Sequence, residues 1–441
     1  MTAPSLRHNS LARLAADLLG LLMALLAATI TARVLGPSGK GYYSALLLLA
    51  GLVLQIFSAG LGEAAIVLSG SGRAKLQDAV SATTAAILPL AVGAAGFLYV
   101  IGGILLPDPN HGRATLVLAC VMAAVAVLYN TSVSFLVAEE KLIPVAGVAV
   151  VAAVLSTALL WIFLVPFELG TAGAMLGGIV GSAAAAAITV TLLLRSGLSM
   201  RPRLVSGYLR AAARFGAALQ FSNLLVQLTA RLDLVLVYRL STAADAGDYS
   251  IALTIGTLVG SIPLALSYAA FPRLALVDEA EARSLTAQVF RMGVTAAIVA
   301  GCALAVATPF AVPLVFGQAY AGAIGPTLLL IPAGVLWSGQ WLLCRAAAAR
   351  GVPRPLLTSF AVSFAVMVVL DFALIGPLEA VGAGIASVVA SAVGLLIAVD
   401  HYRRQSWDRR TFLPRWRDAQ ALVAYIRGMV SPTRKATTAG A

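Results

Sequence analysis

Twelve apolar stretches follow one another along this 441-residue chain, at 11–35, 42–69, 79–106, 114–138, 143–165, 171–194, 212–238, 246–272, 286–315, 321–349, 355–376 and 378–400. Each reaches the ~20 residues that an apolar helix needs to cross a hydrocarbon core. Lipid offers the backbone no hydrogen-bond partners, so runs of this length close their bonds internally as helices. Composition argues the same way. Charged residues make up only 11% of the chain, against ~25% in a soluble domain whose surface must be hydrated. The expectation is an all-α polytopic membrane protein of twelve transmembrane helices. Pro89, Pro263, Pro309, Pro313 and Pro332 mark expected kinks, which membrane helices tolerate. Arg7 and Arg13, ahead of a run that closes on 28-ATITA-32, match a signal peptide in pattern. The chain passes directly into further spans, however, and the segment reads as the first of them.

The net charge of +12 follows from topology. With the N-terminus inside, cytoplasmic segments hold 25 of the 30 Lys and Arg residues. The opposite side holds Arg33, Lys40, Arg113 and Arg239, and Arg231 lies within a span. Such a bias orients the bundle in the cytoplasmic membrane with both termini cytoplasmic. In the basic tail, 401-HYRRQSWDRRTFLPRWRD-418 mixes arginine with Trp407 and Trp416, which suits anionic lipid headgroups. No nucleic-acid partner is implied.

An internal repeat organises the spans. Shifted by 206 residues, 33-RVLGPSGKGYYS-44 overlays 239-RLSTAADAGDYS-250, matching Arg33 to Arg239, Gly41 to Gly247, Tyr43 to Tyr249 and Ser44 to Ser250. A second echo pairs 166-PFELGTAGA-174 with 377-PLEAVGA-383, each ahead of a sixth span. The expected organisation is a six-helix half over 1–194, a basic cytoplasmic linker over 195–211, a second six-helix half over 212–400 and a basic tail over 401–441. Six is even, so the halves share one orientation, as in parallel-repeat transporters.

The stretch 33–44 first suggests a phosphate loop, but a Walker A pattern requires Gly-Lys-Ser/Thr. Here Gly39-Lys40 runs into Gly41 on the non-cytoplasmic side, so the stretch reads as a tight interhelical turn. No nucleotide or other cofactor is expected. Cys120, Cys302 and Cys344 are dispersed through apolar stretches and read as small buried side chains. His8, His111 and His401 have no partner at ligand spacing, and no metal site is expected. Neither a Ser/His/Asp set nor a paired-carboxylate motif is visible, and the loops are too short for a catalytic domain. An enzyme is not expected.

Polar residues at membrane depth carry the remaining signal. A charge there costs about 3 kcal/mol or more unless it meets a cavity or a partner. Gln220, Asn223, Gln227 and Arg231 recur at steps of three, four and four, on one helix face. Such a stripe either lines a cavity or forms a hydrogen-bonded helix seam. Asp233, two residues on, points elsewhere. The repeat offset sets Asp17 opposite Asn223, while Asp17 also shares a face with Arg13; cavity lining and local pairing both stay open. Glu63 either lines the cavity with Gln55 or pairs with Arg73, and Asp371 either couples to a cation or is structural. Arg33, Lys40 and Arg239 form an outer cationic set. The arginines hold a pyrophosphate through their planar forks, or they anchor span ends to headgroups.

These residues resemble a family. The stretch 32-ARVLGPSGKGYYSALLLLAGLVLQIFSAGLGEA-64 is similar to the opening of polysaccharide (O-antigen, Wzx-type) flippases of the MATE-like MOP exporter superfamily. The resemblance continues at 231-RLDLVLVYRLSTAADAGDYSIA-252, 315-VFGQAYAGA-323, 350-RGVPR-354 and 375-IGPLEAVGAGIAS-387. It implies a V-shaped pair of six-helix halves that exposes a cationic cavity by alternating access. The implied function is translocation of a polyprenyl-diphosphate-linked oligosaccharide during cell-surface polysaccharide biosynthesis. Membrane lipids are implied partners, and glycan polymerase or glycosyltransferases are candidate ones. Arg33, Arg231 and Arg239 become candidates for phosphate contact. Asp17 and the Gln220, Asn223 and Gln227 face become candidates for the cavity, and Asp233, Glu63 and Asp371 for ion coupling. The second half departs from the pattern, since its turn lacks Gly-Pro. A cation-coupled multidrug or small-molecule antiporter of the same fold is the alternative, and a non-transporting scaffold a third reading that the polar stripe argues against.

Overall fold

The computed structural model describes residues 3–58, 60–107, 112–274, 276–352, 354–405, 407 and 412. Among these the chain is helical with no strand: α1 (Ala3–Phe57), α2 (Leu61–Gly70), α3 (Leu76–Leu105), α4 (Gly112–Ala138), α5 (Leu142–Leu164), α6 (Gly170–Arg195), α7 (Ser206–Leu240), α8 (Ala243–Val259), α9 (Ser261–Leu274), α10 (Glu279–Val315), a short 3-10 turn (Gln318–Ala323), α11 (Ile324–Ala349) and α12 (Arg354–Arg403).

Nine of the described helices are long and apolar enough to cross a bilayer, and α8 with α9 forms a tenth span bent by 43°. Two of the nine are hairpins. At 1.5 Å per residue, the 50 residues of α12 would run ~75 Å as a straight rod, far beyond a ~30 Å core. The chain instead turns at Glu379 (φ 54°, ψ −136°). Its arms run antiparallel, Ser359 donating to the Gly394 carbonyl at 2.8 Å and Ser363 to that of Ala390 at 3.0 Å. Likewise α1 breaks at Gly36 (φ 67°), just ahead of Pro37, and the ammonium of Lys40 reaches back to Thr31 at 2.8 Å. Splitting both hairpins gives the twelve spans expected from the sequence.

The repeat has a structural counterpart at each echo. Pro166-Phe167-Glu168 and Pro377-Leu378-Glu379 both place a glutamate in the left-handed region, at φ 50° and 54°, where non-glycine residues are uncommon. Each second span is also broken near its middle. In the first, Gly60 at φ 64° caps α2. In the second the break falls between Val259 and Ser261, where the ring of Pro263 clashes with the carbonyl four residues earlier. Pro89 and Pro332, in contrast, sit inside continuous helices.

The chain packs as two compact units, one of 1–251 with 312–323 and the other of 252–311 with 324–441. In the first, Leu61, Ala65, Leu68, Val80, Phe135, Leu136, Leu193 and Tyr208 form a core joining α2, α3, α4, α6 and α7. The second unit is held by small apolar clusters, such as Val259, Ala297 and Ile331, and by a polar seam. There Gln340 of α11, fully buried, donates to Ser359 at 2.8 Å and Ser363 at 3.2 Å. Cys120 and Cys344 are buried as expected, but Cys302 is exposed on the apolar surface of α10. Trp407 stacks on Phe412, packs against Tyr402 and lies under Arg283, so its ring is engaged by protein. Trp416 and the rest of the tail lie outside the described residues.

Candidate functional site

Two places in the first unit gather the polar residues singled out above. One is the junction of the repeat-related turns. Gly41 lies directly on the α8 backbone. A Cβ there would stand 2.8 Å from the Gly247 nitrogen and 2.9 Å from the Ala243 carbonyl carbon. Reciprocally, a Cβ on Gly247 would stand 2.8 Å from the Pro37 carbonyl carbon. Main chain rests on main chain, and only glycine permits this at both matched positions. Around the crossing, the rings of Tyr42 and Tyr238 lie 6.1 Å apart. The hydroxyl of Tyr320 donates to the Ala32 carbonyl at 2.9 Å, and Tyr249 donates to the buried carboxylate of Asp233. That carboxylate also accepts from the Leu234 N–H at 2.9 Å.

The outer cations divide at this junction. Arg33, though exposed, donates through Nε to the Val315 carbonyl at 2.8 Å and through Nη2 to that of Leu314 at 2.5 Å. It thereby caps the end of α10, where orphan carbonyls and the helix dipole favour a cation. Lys40 is withdrawn from the surface, 6% exposed, between Thr31 and the ring of Tyr43 at 5.7 Å. Arg239 is exposed in the last turn of α7.

The second place is α7 itself. Gln220 is buried and donates its amide to the side chain and carbonyl of Gln55, so this end of the stripe is a helix seam. Farther along the same face Asn223 is exposed, Gln227 half-buried and Arg231 exposed. Arg231 makes no hydrogen bond or salt bridge among the described residues. The stripe therefore divides into a closed seam and an open polar face. Glu63 is half-buried in the first turn of α2, where the helix dipole favours a carboxylate. Asp371 is fully buried in the second unit, away from both places along the chain. The side chain of Asp17 lies outside the described residues.

Sequence reasoning missed the Gln55–Gln220 pair and the burial of Lys40. Gln55 stood on the face noted with Glu63, but nothing in its spacing identified α7 as its partner.

Among curated proteins none matches this sequence. In solved structures, the lipid II flippase MurJ in an inward closed conformation aligns with a TM-score of 0.76 at 10% identity, over 96% of this chain and 93% of that one. An inward-facing multidrug resistance MATE family transporter of the MOP superfamily aligns at 0.70 and 14%, over 90% and 99%. The Vibrio cholerae MATE transporter VcmN in the bent form aligns at 0.54 and 17%, over 91% and 97%. These likenesses establish the fold as that of the MATE and MurJ transporters, and the chain is a multi-pass membrane protein. A family model described as polysaccharide biosynthesis protein matches residues 30–325. On that match over more than half its length, the chain belongs to the polysaccharide biosynthesis protein family.

Proposed function

We propose that this chain is a flippase, not an enzyme, that translocates a polyprenyl-diphosphate-linked oligosaccharide across the cytoplasmic membrane by alternating access. The observation that carries the reading is Arg231. It is an exposed cation within a span, in line with exposed Asn223, and it has no hydrogen-bonded protein partner among the described residues. A guanidinium at membrane depth persists only where its open side meets water or an anion, and a diphosphate matches its planar fork. The family match and the flippase fold support the same reading.

In this reading two six-helix halves, 1–194 and 212–400, flank the linker 195–211, and both termini are cytoplasmic. Arg231 and Arg239 hold phosphate, and Arg33 joins them by exchanging its carbonyl acceptors for phosphate oxygens. Asp17, Asn223 and Gln227 face the sugar, with Gln220 closing the end of the stripe. Asp233, Glu63 and Asp371 are the carboxylates assigned to ion coupling. Membrane lipids surround the site, and glycan polymerase or glycosyltransferases act on either side of it.

The second reading, a cation-coupled multidrug or small-molecule antiporter, is favoured by the complete burial of Asp371 within a span. Deleting the gene separates the two. The flippase reading predicts lipid-linked oligosaccharide accumulating on the cytoplasmic leaflet. Unchanged glycan with raised drug sensitivity would transfer the assignment to the antiporter.

A further inference from the structure

The second unit carries an arginine placed unlike its neighbours. Trp337, Trp341 and Arg345 recur at steps of four along α11, so they stack on one helix face. The two indoles lie nearly parallel, 5.5 Å apart at 11°. Phe360 of α12 sets its edge against both, at 6.5 and 6.3 Å. The Arg345 guanidinium then lies 5.2 Å from the Trp341 ring and 5.4 Å from the ring of Phe271 on α9. Two aromatic faces fix the guanidinium and engage none of its N–H donors. Among the described residues Arg345 has no hydrogen bond or ion pair.

The two carboxylates at the start of α10 are paired with other arginines. Glu281 is paired with Arg273 at 2.6 Å and Glu279 with Arg283 at 2.9 Å. Arg350, one turn further on, donates to the Val277 carbonyl at 2.8 Å. The indole N–H groups of Trp337 and Trp341 are enclosed and also lack acceptors among the described residues. Tryptophan and arginine near a span end commonly anchor a helix to the headgroup layer. Anchoring tryptophans turn their N–H groups to that wet layer, however, whereas these are buried. A half-buried guanidinium held over two rings, with no hydrogen bond among the described residues, presents the donor fork that an oxygen-rich anion matches.

We infer that Arg345, held by Trp341 and Phe271 and backed by Trp337, binds the phosphoryl group of a membrane-borne anion at the α11 end that the arginine bias assigns to the cytoplasm. Two sources share that chemistry: the diphosphate of a glycan lipid, which rests on the flippase reading, and the phosphodiester of an anionic phospholipid, which does not.

Both can be tested on the full chain purified in detergent. Inorganic pyrophosphate is titrated while tryptophan emission is followed, and retention of dioleoyl phosphatidylglycerol is read by native mass spectrometry. The expected result is saturable pyrophosphate binding that weakens about tenfold or more in Arg345→Gln. Arg345→Lys should also weaken it, because lysine keeps the charge but loses the planar fork. Arg283→Gln should bind as the native chain does. The lysine variant, melting as the native protein does, separates lost binding from lost folding. Retention of phosphatidylglycerol that depends on Arg345, with pyrophosphate binding that does not, assigns the site to phospholipid and overturns the diphosphate source. Unchanged binding of both probes in both Arg345 variants overturns the site. Binding is read without transport, so a chain that exports no glycan lipid yet binds pyrophosphate through Arg345 loses only the flippase reading.

Discussion

Gly41→Ala tests the backbone crossing of the repeat-related turns. The added Cβ would stand 2.8 Å from the Gly247 nitrogen and 2.9 Å from the Ala243 carbonyl carbon, where real Cβ atoms essentially never come within 3.0 Å. The obstacle is backbone on both sides, so no side chain can rotate away and α1 must separate from α8. Overpacking costs about 1–3 kcal/mol, and a backbone obstacle places this case near the upper value. A loss of about 3 kcal/mol shifts the folding equilibrium roughly 100-fold and should lower the melting temperature by several degrees. Gly247→Ala meets the Pro37 carbonyl carbon at 2.8 Å and should behave alike. One separation relieves both clashes, so the double variant should lose less than the sum of the singles, as coupled neighbours do. Gly96→Ala, on an exposed part of α3 with nothing within 4 Å, is the control and should be neutral or slightly stabilising. Melting can be followed by the loss of the monodisperse chromatographic peak on heating. Native-like melting of both Gly41→Ala and Gly247→Ala would refute the crossing of the repeat-related turns.

Three further outcomes are expected. Tyr249→Phe removes a donor from the buried Asp233 and should cost about 1–3 kcal/mol, visible as a lower melting temperature. Arg33→Ala frees the Val315 and Leu314 carbonyls and should cost about 1 kcal/mol in its exposed setting; native-like melting would show that the cap contributes nothing. Gln340→Leu removes a side-chain oxygen that has no partner among the described residues, leaving Ser359 and Ser363 bonded to their carbonyls. It should melt close to the native chain, while Gln340→Ala, which opens a cavity, should lose about 2 kcal/mol or more.

Local signals carried far in this chain. Hydropathy gave twelve spans because the bilayer imposes one length on every crossing. The echoes at Arg33/Arg239 and at the two Pro-x-Glu turns were legible because matched turns need the same backbone, here glycines at a contact and glutamates at positive φ. The break at Gly60 escaped notice, since one glycine in an apolar run has no distinct signature until the chain around Gly216 packs on it. The division of the α7 stripe was equally hidden. Periodicity aligned Gln220 with Arg231, but only packing gives the first a partner in Gln55 and leaves the second open. Trp337, Trp341 and Arg345 stood at helical spacing in plain view, yet Phe271 and Phe360, which give the ladder its meaning, come from other helices.

The proposed translocation carries a diphosphate-linked glycan along the open face of α7. The most direct measurement uses proteoliposomes holding the purified chain and a polyprenyl-diphosphate oligosaccharide, with a membrane-impermeant lectin reporting how much glycan is exposed outside. The native chain should render the inner-leaflet pool accessible over time, and Arg231→Ala should abolish this while melting as the native protein does. A pool that stays inaccessible with the native chain, or that is exposed equally fast with Arg231→Ala, would contradict the account.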